Sequence, residues 1–129
     1  MRPRILCIED DGDIALAVRM VLRRSGLDVL TAGDGEEGLR AFHSSRPELV
    51  LLDIGLPVID GWEVLRRIRD GSDVPVLLLT AHEIEVDRER WRRAGANGCL
   101  IKPFSNADLV ATIHALLRPP LARELNLNA

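Results

Sequence analysis

The chain has 129 residues, of which 47% are hydrophobic and 29% are charged, and its formal net charge is −3 at pH 7. These values are typical of one globular domain that buries its own core without disulfides or a structural metal. The acidic balance argues against a general nucleic-acid-binding surface, and no apolar run is long enough to span a membrane. Cys7 and Cys99 lie in strand-like runs, and two buried thiols favour a reduced, cytosolic protein.

Strand-like and helical patterns alternate along the chain. Short apolar runs are typical of strands buried on both faces of a parallel sheet. The predicted strands are Arg4–Glu9, Asp28–Ala32, Leu49–Leu52, Val74–Leu79 and Asn97–Ile101. The predicted helices run from Gly12 to Gly26, from Asp34 to Pro47, from Gly61 to Arg69, from Glu83 to Ala94, and onwards from Ser105. The helix from Glu83 to Ala94 has a poor apolar face, so we expect it to be held weakly.

Five alternations of strand and helix predict an α/β fold with right-handed crossovers. Five strands are too few for a closed (β/α)₈ barrel, which leaves an open, doubly wound parallel sheet. Its flavodoxin-like strand order is 2-1-3-4-5. We expect one domain over residues 1–118. Residues 119–129, which begin with Pro119-Pro120, are interpreted as a C-terminal tail or the start of a linker.

Polar residues follow the carboxyl ends of four predicted strands. Glu9-Asp10-Asp11 follows the first strand, Asp53 the third, Thr80 the fourth and Lys102 the fifth. In the order 2-1-3-4-5 these residues converge at one edge of the sheet, where open α/β proteins bind ligands. Asp11 is better placed to cap the first helix than to join the other carboxylates.

Clustered carboxylates at this edge need a cation or a raised pKa. Two carboxylates about 5 Å apart repel by roughly 3 kcal/mol at an effective dielectric of about 20. Oxygen ligands with room for water suit Mg²⁺, which often also binds substrate phosphate. Asp53 would then attack phosphorus and form an aspartyl phosphate, while Lys102 and the Thr80 hydroxyl would each bind a phosphoryl oxygen.

Together these motifs resemble the receiver domain of two-component response regulators, the CheY-like family. The matching motifs are Glu9-Asp10, Asp53 with Leu56-Pro57 and Asp60-Gly61, Thr80-Ala81, and Lys102-Pro103-Phe104. They cover essentially Arg4 to Arg118, and their order makes the resemblance specific although each motif alone is weak.

The resemblance implies a signalling switch that turns over no metabolite. It implies that Asp53 accepts a phosphoryl group from a histidine kinase or phosphotransfer protein. It also implies Mg²⁺ bound by Asp10, Asp53 and the Gly55 carbonyl, with Glu9 acting through water. A cis Lys102-Pro103 bond is expected, since X-Pro bonds are where cis occurs. We expect a cytoplasmic protein with an unidentified downstream protein partner, and neither direct nucleic-acid binding nor membrane association.

Three positions depart from the family's pattern or bear on its switch. Receivers usually move an aromatic or histidine side chain on strand five, and Cys99 occupies that position. We therefore predict a switch and output face at Ala81 and Cys99, with Cys99 as passive packing. His82, two residues after Thr80, is a candidate for tuning the phosphoryl lifetime.

The residues of a common receiver dimer are also replaced. Asn97-Gly98 and Thr112 stand where related receivers carry an acidic pair and an arginine that join two copies. A monomer or a weak homodimer through another interface is therefore expected.

Three alternatives remain open from the sequence. A flavodoxin-like cofactor binder would need a hydroxyl- and glycine-rich loop after the first strand, where Glu9-Asp10-Asp11 would repel phosphate. A Mg²⁺ phosphohydrolase normally carries a second acid two residues after its nucleophile, where this chain has Gly55. A degenerate receiver that acts only as a phosphorylation-independent docking module is the third.

Overall fold

Five parallel strands form the centre of the computed structural model, which describes residues 2–81 and 88–117. The strands are β1 (Arg4–Ile8), β2 (Asp28–Ala32), β3 (Leu49–Asp53), β4 (Val76–Thr80) and β5 (Gly98–Ile101). They lie in the order β2-β1-β3-β4-β5, which confirms the predicted doubly wound topology. The helices are α1 (Gly12–Arg24), α2 (Gly35–Ser45), α3 (Gly61–Arg69), α4 (Arg88–Arg93) and α5 (Asn106–Leu117).

Helices cover both faces of the sheet, and each face has its own apolar cluster. Successive strand side chains point to opposite faces, so every position of β3 and β4 is buried. On one face Leu51 and Leu77 pack with α1 and α5, and on the other Leu52 and Leu78 pack with α2 and α3. Trp91 of α4 packs against the second cluster. The core therefore holds the strand ends in a fixed arrangement.

The helix N-termini are capped by the residues that the sequence indicates. Asp34 accepts a hydrogen bond from Glu37 N–H at 2.8 Å, and Ser105 accepts one from Asp108 N–H at 3.0 Å. Asp11 accepts from two backbone N–H groups of α1, and this confirms it as a cap. Side-chain acceptors of this kind satisfy the first N–H groups of a helix.

Some predicted strand limits are wrong by one or two residues. β4 begins at Val76 and not at Val74, because Pro75 has no N–H for the ladder and the Val76 N–H donates to the Asn97 side chain at 2.9 Å. β1 ends at Ile8 rather than Glu9, and β5 begins at Gly98 rather than Asn97. These shifts lie at strand ends and leave the strand order unchanged.

Burial is incomplete on the last helix, and the expectation of two buried cysteines is corrected in part. On α5, Leu109 and Ile113 are buried, whereas Val110, Leu116 and Leu117 are half-buried. Cys7 is fully buried, but Cys99 is only half-buried because β5 is an edge strand. Both cysteines are free thiols.

Several predictions lie outside the described residues. These are the role of His82, the part of the fourth helix from Glu83 to Asp87, and the nature of residues 119–129. In the ranges 2–81 and 88–117, no helix is long and apolar enough to cross a membrane.

Candidate functional site

The strand register brings the predicted site residues to one edge of the sheet. Ile8 pairs with Leu52, so Glu9 follows β1 at the level where Asp53 ends β3. Asp53 pairs with Leu79, which places Thr80 one residue farther along β4. Thr80 in turn pairs with Ile101, directly before Lys102. Residues from four separate strand ends therefore meet at the carboxyl edge, as predicted.

Asp53 is buried and held by two donors. Its side chain is the last of β3, and the residue is only 6% exposed. Its Oδ1 accepts a hydrogen bond from Gly55 N–H at 2.9 Å, and its Oδ2 lies 3.5 Å from Lys102 Nζ. Burial opposes ionisation, but the Glu9 side chain, the Gly55 N–H and the charge of Lys102 together hold the pKa of Asp53 below its usual value. Asp53 is therefore an ionised, oriented carboxylate.

Glu9 is the most deeply buried acid of the site. One of its oxygens, Oε1, accepts a hydrogen bond from Lys102 Nζ. The other, Oε2, is buried and has no hydrogen-bond partner among the described residues. Burial, followed by the proximity of Asp53, raises the pKa of Glu9 to about 8. With Lys102 as its only cationic neighbour among the described residues, this carboxyl group therefore holds a proton near neutral pH, and a bound metal ion would favour its release.

Lys102 provides the positive charge of the site. It contacts both Glu9 and Asp53, and only 16% of its side chain is exposed. Burial opposes its charge, but hydrogen bonding to Glu9 and the charge of Asp53 outweigh burial and raise its pKa. Its backbone N–H donates to Thr80 O at 2.7 Å, and the Lys102-Pro103 bond is cis, as expected.

Glu9, Asp10 and Asp53 form a group of oxygen donors that fits a divalent cation. Each residue offers a carboxylate oxygen, and these oxygens lie within 4.8 Å of one another. Glu9 and Asp53 are buried, whereas Asp10 is exposed, so the group opens to solvent on one side. The unpartnered Glu9 Oε2 and the all-oxygen donor set suit Mg²⁺, which keeps several of its waters.

The β3–α3 connection packs tightly beneath Asp53. Gly61 N–H donates to Ile54 O at 2.9 Å, and a Cβ at Gly61 would overlap backbone atoms of Asp53 and Ile54. From the sequence, Gly61 was predicted as a helix start and as part of a family motif, but this close approach was not predicted. Val58, fully exposed in the same connection, has a φ of 67°, a left-handed conformation that is uncommon for a β-branched residue.

The remaining predicted residues lie around this edge. Gly55 follows Asp53 and is exposed, and Ala81 is exposed directly after β4. Cys99 is half-buried on the face that α4 covers, where it packs against the same cluster as Trp91. Burial raises the pKa of the Cys99 thiol to about 11, so the thiol is neutral at physiological pH. The roles of these residues stay predictions.

Known proteins share most of this sequence. The family model described as "Response regulator receiver domain" matches residues 5–114. Transcriptional regulatory protein PrrA of Mycobacterium tuberculosis is 44% identical over 117 residues, which cover 90% of this chain and 50% of that protein. DNA-binding response regulator MtrA of Mycobacterium leprae is 42% identical over 118 residues, which cover 92% of this chain and 52% of that protein. The chain thus spans about half the length of these relatives.

Solved structures show the same fold. Chemotaxis response regulator CheY4 of Vibrio cholerae superposes with a TM-score of 0.84 at 28% identity, covering 90% of this chain and 99% of that chain. The receiver domain of Francisella response regulator 1452 gives a TM-score of 0.85 at 26% identity, covering 90% of this chain and 97% of that chain. The chain therefore belongs to the response regulator receiver domain family of two-component systems.

Proposed function

We propose that this chain is a phosphorylation-dependent switch in which Asp53 accepts a phosphoryl group with Mg²⁺. The observation that carries the proposal is the arrangement around Asp53. An ionised carboxylate lies beside two further acids, its Oδ1 accepts from Gly55 N–H, and its Oδ2 lies 3.5 Å from the Lys102 ammonium. Such a site offers a nucleophile and a positive charge for the developing phosphoryl oxygens.

The transfer step needs no general base. An Asp53 carboxylate oxygen forms a new bond to phosphorus while the bond between phosphorus and the donor breaks. The donor leaves with that electron pair, as imidazole nitrogen from a phosphohistidine or as acetate from acetyl phosphate. Lys102 neutralises charge on the phosphoryl oxygens, and the Thr80 hydroxyl at the end of β4 would hydrogen-bond to one of them.

Asp10, Asp53 and the Gly55 carbonyl would hold Mg²⁺, and Glu9 would act through water. When bound, the metal neutralises phosphoryl charge and orients the donor. The residues contribute burial and fixed geometry, because Asp53 ends a buried strand and Glu9 is only 2% exposed. Burial raises the pKa of Glu9 to about 8, which indicates that negative charge in this cluster of carboxylates is unfavourable. A bound cation would offset that charge.

The proposed partners follow from the same chemistry. A histidine kinase or a phosphotransfer protein would supply the phosphoryl group, and an unidentified downstream protein would bind the face that includes Ala81 and Cys99. PrrA is named a transcriptional regulatory protein and MtrA a DNA-binding response regulator, and this chain covers about half of each. We place the switch itself in residues 1–118. The two free cysteines favour a cytoplasmic location.

Intact-mass measurement with acetyl phosphate tests the proposal. We expect the wild-type chain to gain the mass of one phosphoryl group in Mg²⁺ and none in EDTA. Asp53→Asn removes the nucleophile, so this variant should gain no such mass. Asp28→Asn makes the same chemical change at an exposed carboxylate of β2 and should behave as wild type.

The control separates the outcomes. An adduct that persists in Asp53→Asn would move the acceptor to another residue. Absence of an adduct in the wild type, in a sample with a folded circular dichroism spectrum, would contradict the switch and favour a phosphorylation-independent docking module.

A further inference from the structure

Trp62 lies in the first turn of α3, close to the end of β3 that carries Asp53. It directly follows Gly61, whose N–H donates to Ile54 O at 2.9 Å and whose Cα packs against the backbone of Asp53. The Asp60 side chain caps this first turn of α3. Since the first turn is tied to the end of β3, a shift of the β3–α3 connection also moves the Trp62 ring.

Arg90 of α4 stacks on that ring. Its guanidinium carbon lies 4.4 Å from the Trp62 ring centroid, within the distance of about 6 Å at which a cation is attracted to an aromatic face. Trp62 is half-buried and packs against the same core cluster as Trp91 and Cys99. This contact, the Trp62–Arg90 bridge, therefore joins the first turn of α3 to α4 at the edge of the core.

α4 has little buried surface to fix its position. None of its residues, Arg88–Arg93, is buried. At its C-terminal end, Arg69 of α3 donates to Gly95 O at 2.8 Å. A helix held in this way changes position for a small free energy. One cation–π contact at a partly exposed site, equivalent to about two- to fivefold in an equilibrium constant, is large enough to bias it.

Phosphorylation would alter the Asp53 end of this path. Asp53 Oδ1 accepts from Gly55 N–H and Oδ2 lies near Lys102 Nζ, so a new bond from either oxygen to phosphorus changes one of these contacts. Gly55 belongs to the same connection that holds Gly61. The structure thus links the acceptor carboxylate to α4 without using residue 99.

We propose that the Trp62–Arg90 bridge couples the state of Asp53 to the position of α4, in place of the larger side chain that Cys99 replaces. This inference rests on the proposed function. The bridge occurs together with a carboxylate that is bound by Gly55 and Lys102, so phosphorylation should weaken it. Because coupling is reciprocal, removing the bridge should favour the phosphorylated arrangement.

Beryllofluoride, which mimics a phosphoryl group on a carboxylate, tests the coupling. The background variant is Trp91→Phe, which leaves Trp62 as the single tryptophan. Arg90→Gln removes the cation, and Arg90→Lys keeps the charge without the planar guanidinium. Arg88→Gln removes the same charge from an exposed residue of the same helix. Calorimetry with Mg²⁺ gives the beryllofluoride affinity, and amide hydrogen exchange reports on Arg88–Arg93.

In the Trp91→Phe variant, which is the parent chain for the other substitutions, we expect beryllofluoride to change the fluorescence emission of Trp62. We also expect it to speed amide exchange in α4 severalfold. In Arg90→Gln, α4 should exchange fast from the start, and beryllofluoride affinity should rise about two- to fivefold. Arg90→Lys should fall between, and Arg88→Gln should match the parent.

Two different failures are distinguishable. Equal beryllofluoride affinities and equal exchange in Arg90→Gln and Arg88→Gln would overturn the inference and leave the proposed function intact. No beryllofluoride binding by the parent chain in Mg²⁺ would contradict the proposed function, and the inference would fall with it.

Discussion

Glu9 and Asp53 show how burial and neighbouring charge give two similar carboxyl groups different pKa values. Both carboxylates are buried at neighbouring strand ends, yet the pKa of Glu9 is raised and that of Asp53 is lowered. Burial raises the pKa of Glu9, whereas at Asp53 the Glu9 side chain, the Gly55 N–H and the charge of Lys102 together outweigh burial. The two carboxylates lie within 4.8 Å of each other and would repel by at least about 3 kcal/mol at an effective dielectric of about 20, which favours one retained proton on the pair.

The raised pKa of Glu9 predicts a pH dependence of stability in metal-free buffer. Because burial raises the pKa of Glu9 to about 8, the folded chain holds a proton that the unfolded chain releases near pH 4.5. This contribution to stability is full below pH 4.5 and is lost as the pH rises through 8. Between pH 6 and pH 8 the free energy of unfolding should fall by about 2 kcal/mol.

Urea unfolding of wild type and Glu9→Gln in EDTA measures this effect. The variant cannot release the proton, and all other titratable groups are common to both chains. The wild type should therefore lose stability relative to Glu9→Gln as the pH rises. A difference that stays constant between pH 6 and pH 8 would show that Glu9 is already ionised in the folded chain.

At the scale of elements, the sequence predicted the strands and helices whose limits depend on local chemistry. β2 and α3 have the predicted limits, because Asp60 caps α3 and the apolar residues Val64, Leu65 and Ile68 recur at helical spacing. β4 was predicted to begin too early because its first residue, Val76, is held by Asn97, which is distant in sequence. The Val76 N–H donates to the Asn97 side chain, and the Asn97 N–H donates to Val76 O. The stacking of Arg90 on Trp62 likewise depends on tertiary packing and has no sequence signal.

Gly38 shows how closely α2 approaches the sheet. A Cβ at this position would lie 2.6 Å from Ile8 Cδ1, and Ile8 is fully buried in β1. Gly38→Ala should therefore lower the free energy of unfolding by about 1 to 2 kcal/mol, because overpacking outweighs the better helix propensity of alanine. Gly12→Ala is the matched control on α1, since its Cβ would meet nothing within 4 Å.

Thermal and urea unfolding of both variants decide this prediction. Gly12→Ala should be unchanged or up to about 1 kcal/mol more stable, as expected for alanine in a helix. If Gly38→Ala were as stable as Gly12→Ala, α2 would pack farther from β1 than the structure shows.

For the whole molecule, the site depends on the order of the strands rather than on any one segment. β1 and β3 are neighbours although β2 lies between them in sequence, and this crossover brings Glu9 next to Asp53. The alternation of strands and helices was enough to predict that neighbourhood. It could not predict which side chain would carry the proton or how α4 is held, because both depend on burial and on distances between side chains.

The apolar cluster that α5 covers includes buried residues as far along the chain as Ile113, and this predicts where the domain ends. Leu109 and Ile113, which close the α5 side of the core, are 1% and 0% exposed. The family match also ends at residue 114. A chain cut after residue 118 should therefore have the same free energy of unfolding in urea as the 129-residue chain, within about 0.5 kcal/mol.

A shorter chain that ends at residue 104 provides the control. It lacks Leu109 and Ile113, each of which contributes about 1.5 to 3 kcal/mol through burial, and it uncovers Leu51 and Leu77 on that face of the sheet. Since domains of this size are stable by only about 5 to 15 kcal/mol, this chain should not fold cooperatively. If the chain cut after residue 118 lost more than about 1 kcal/mol, well beyond a typical surface change, residues 119–129 would belong to the domain rather than to a tail.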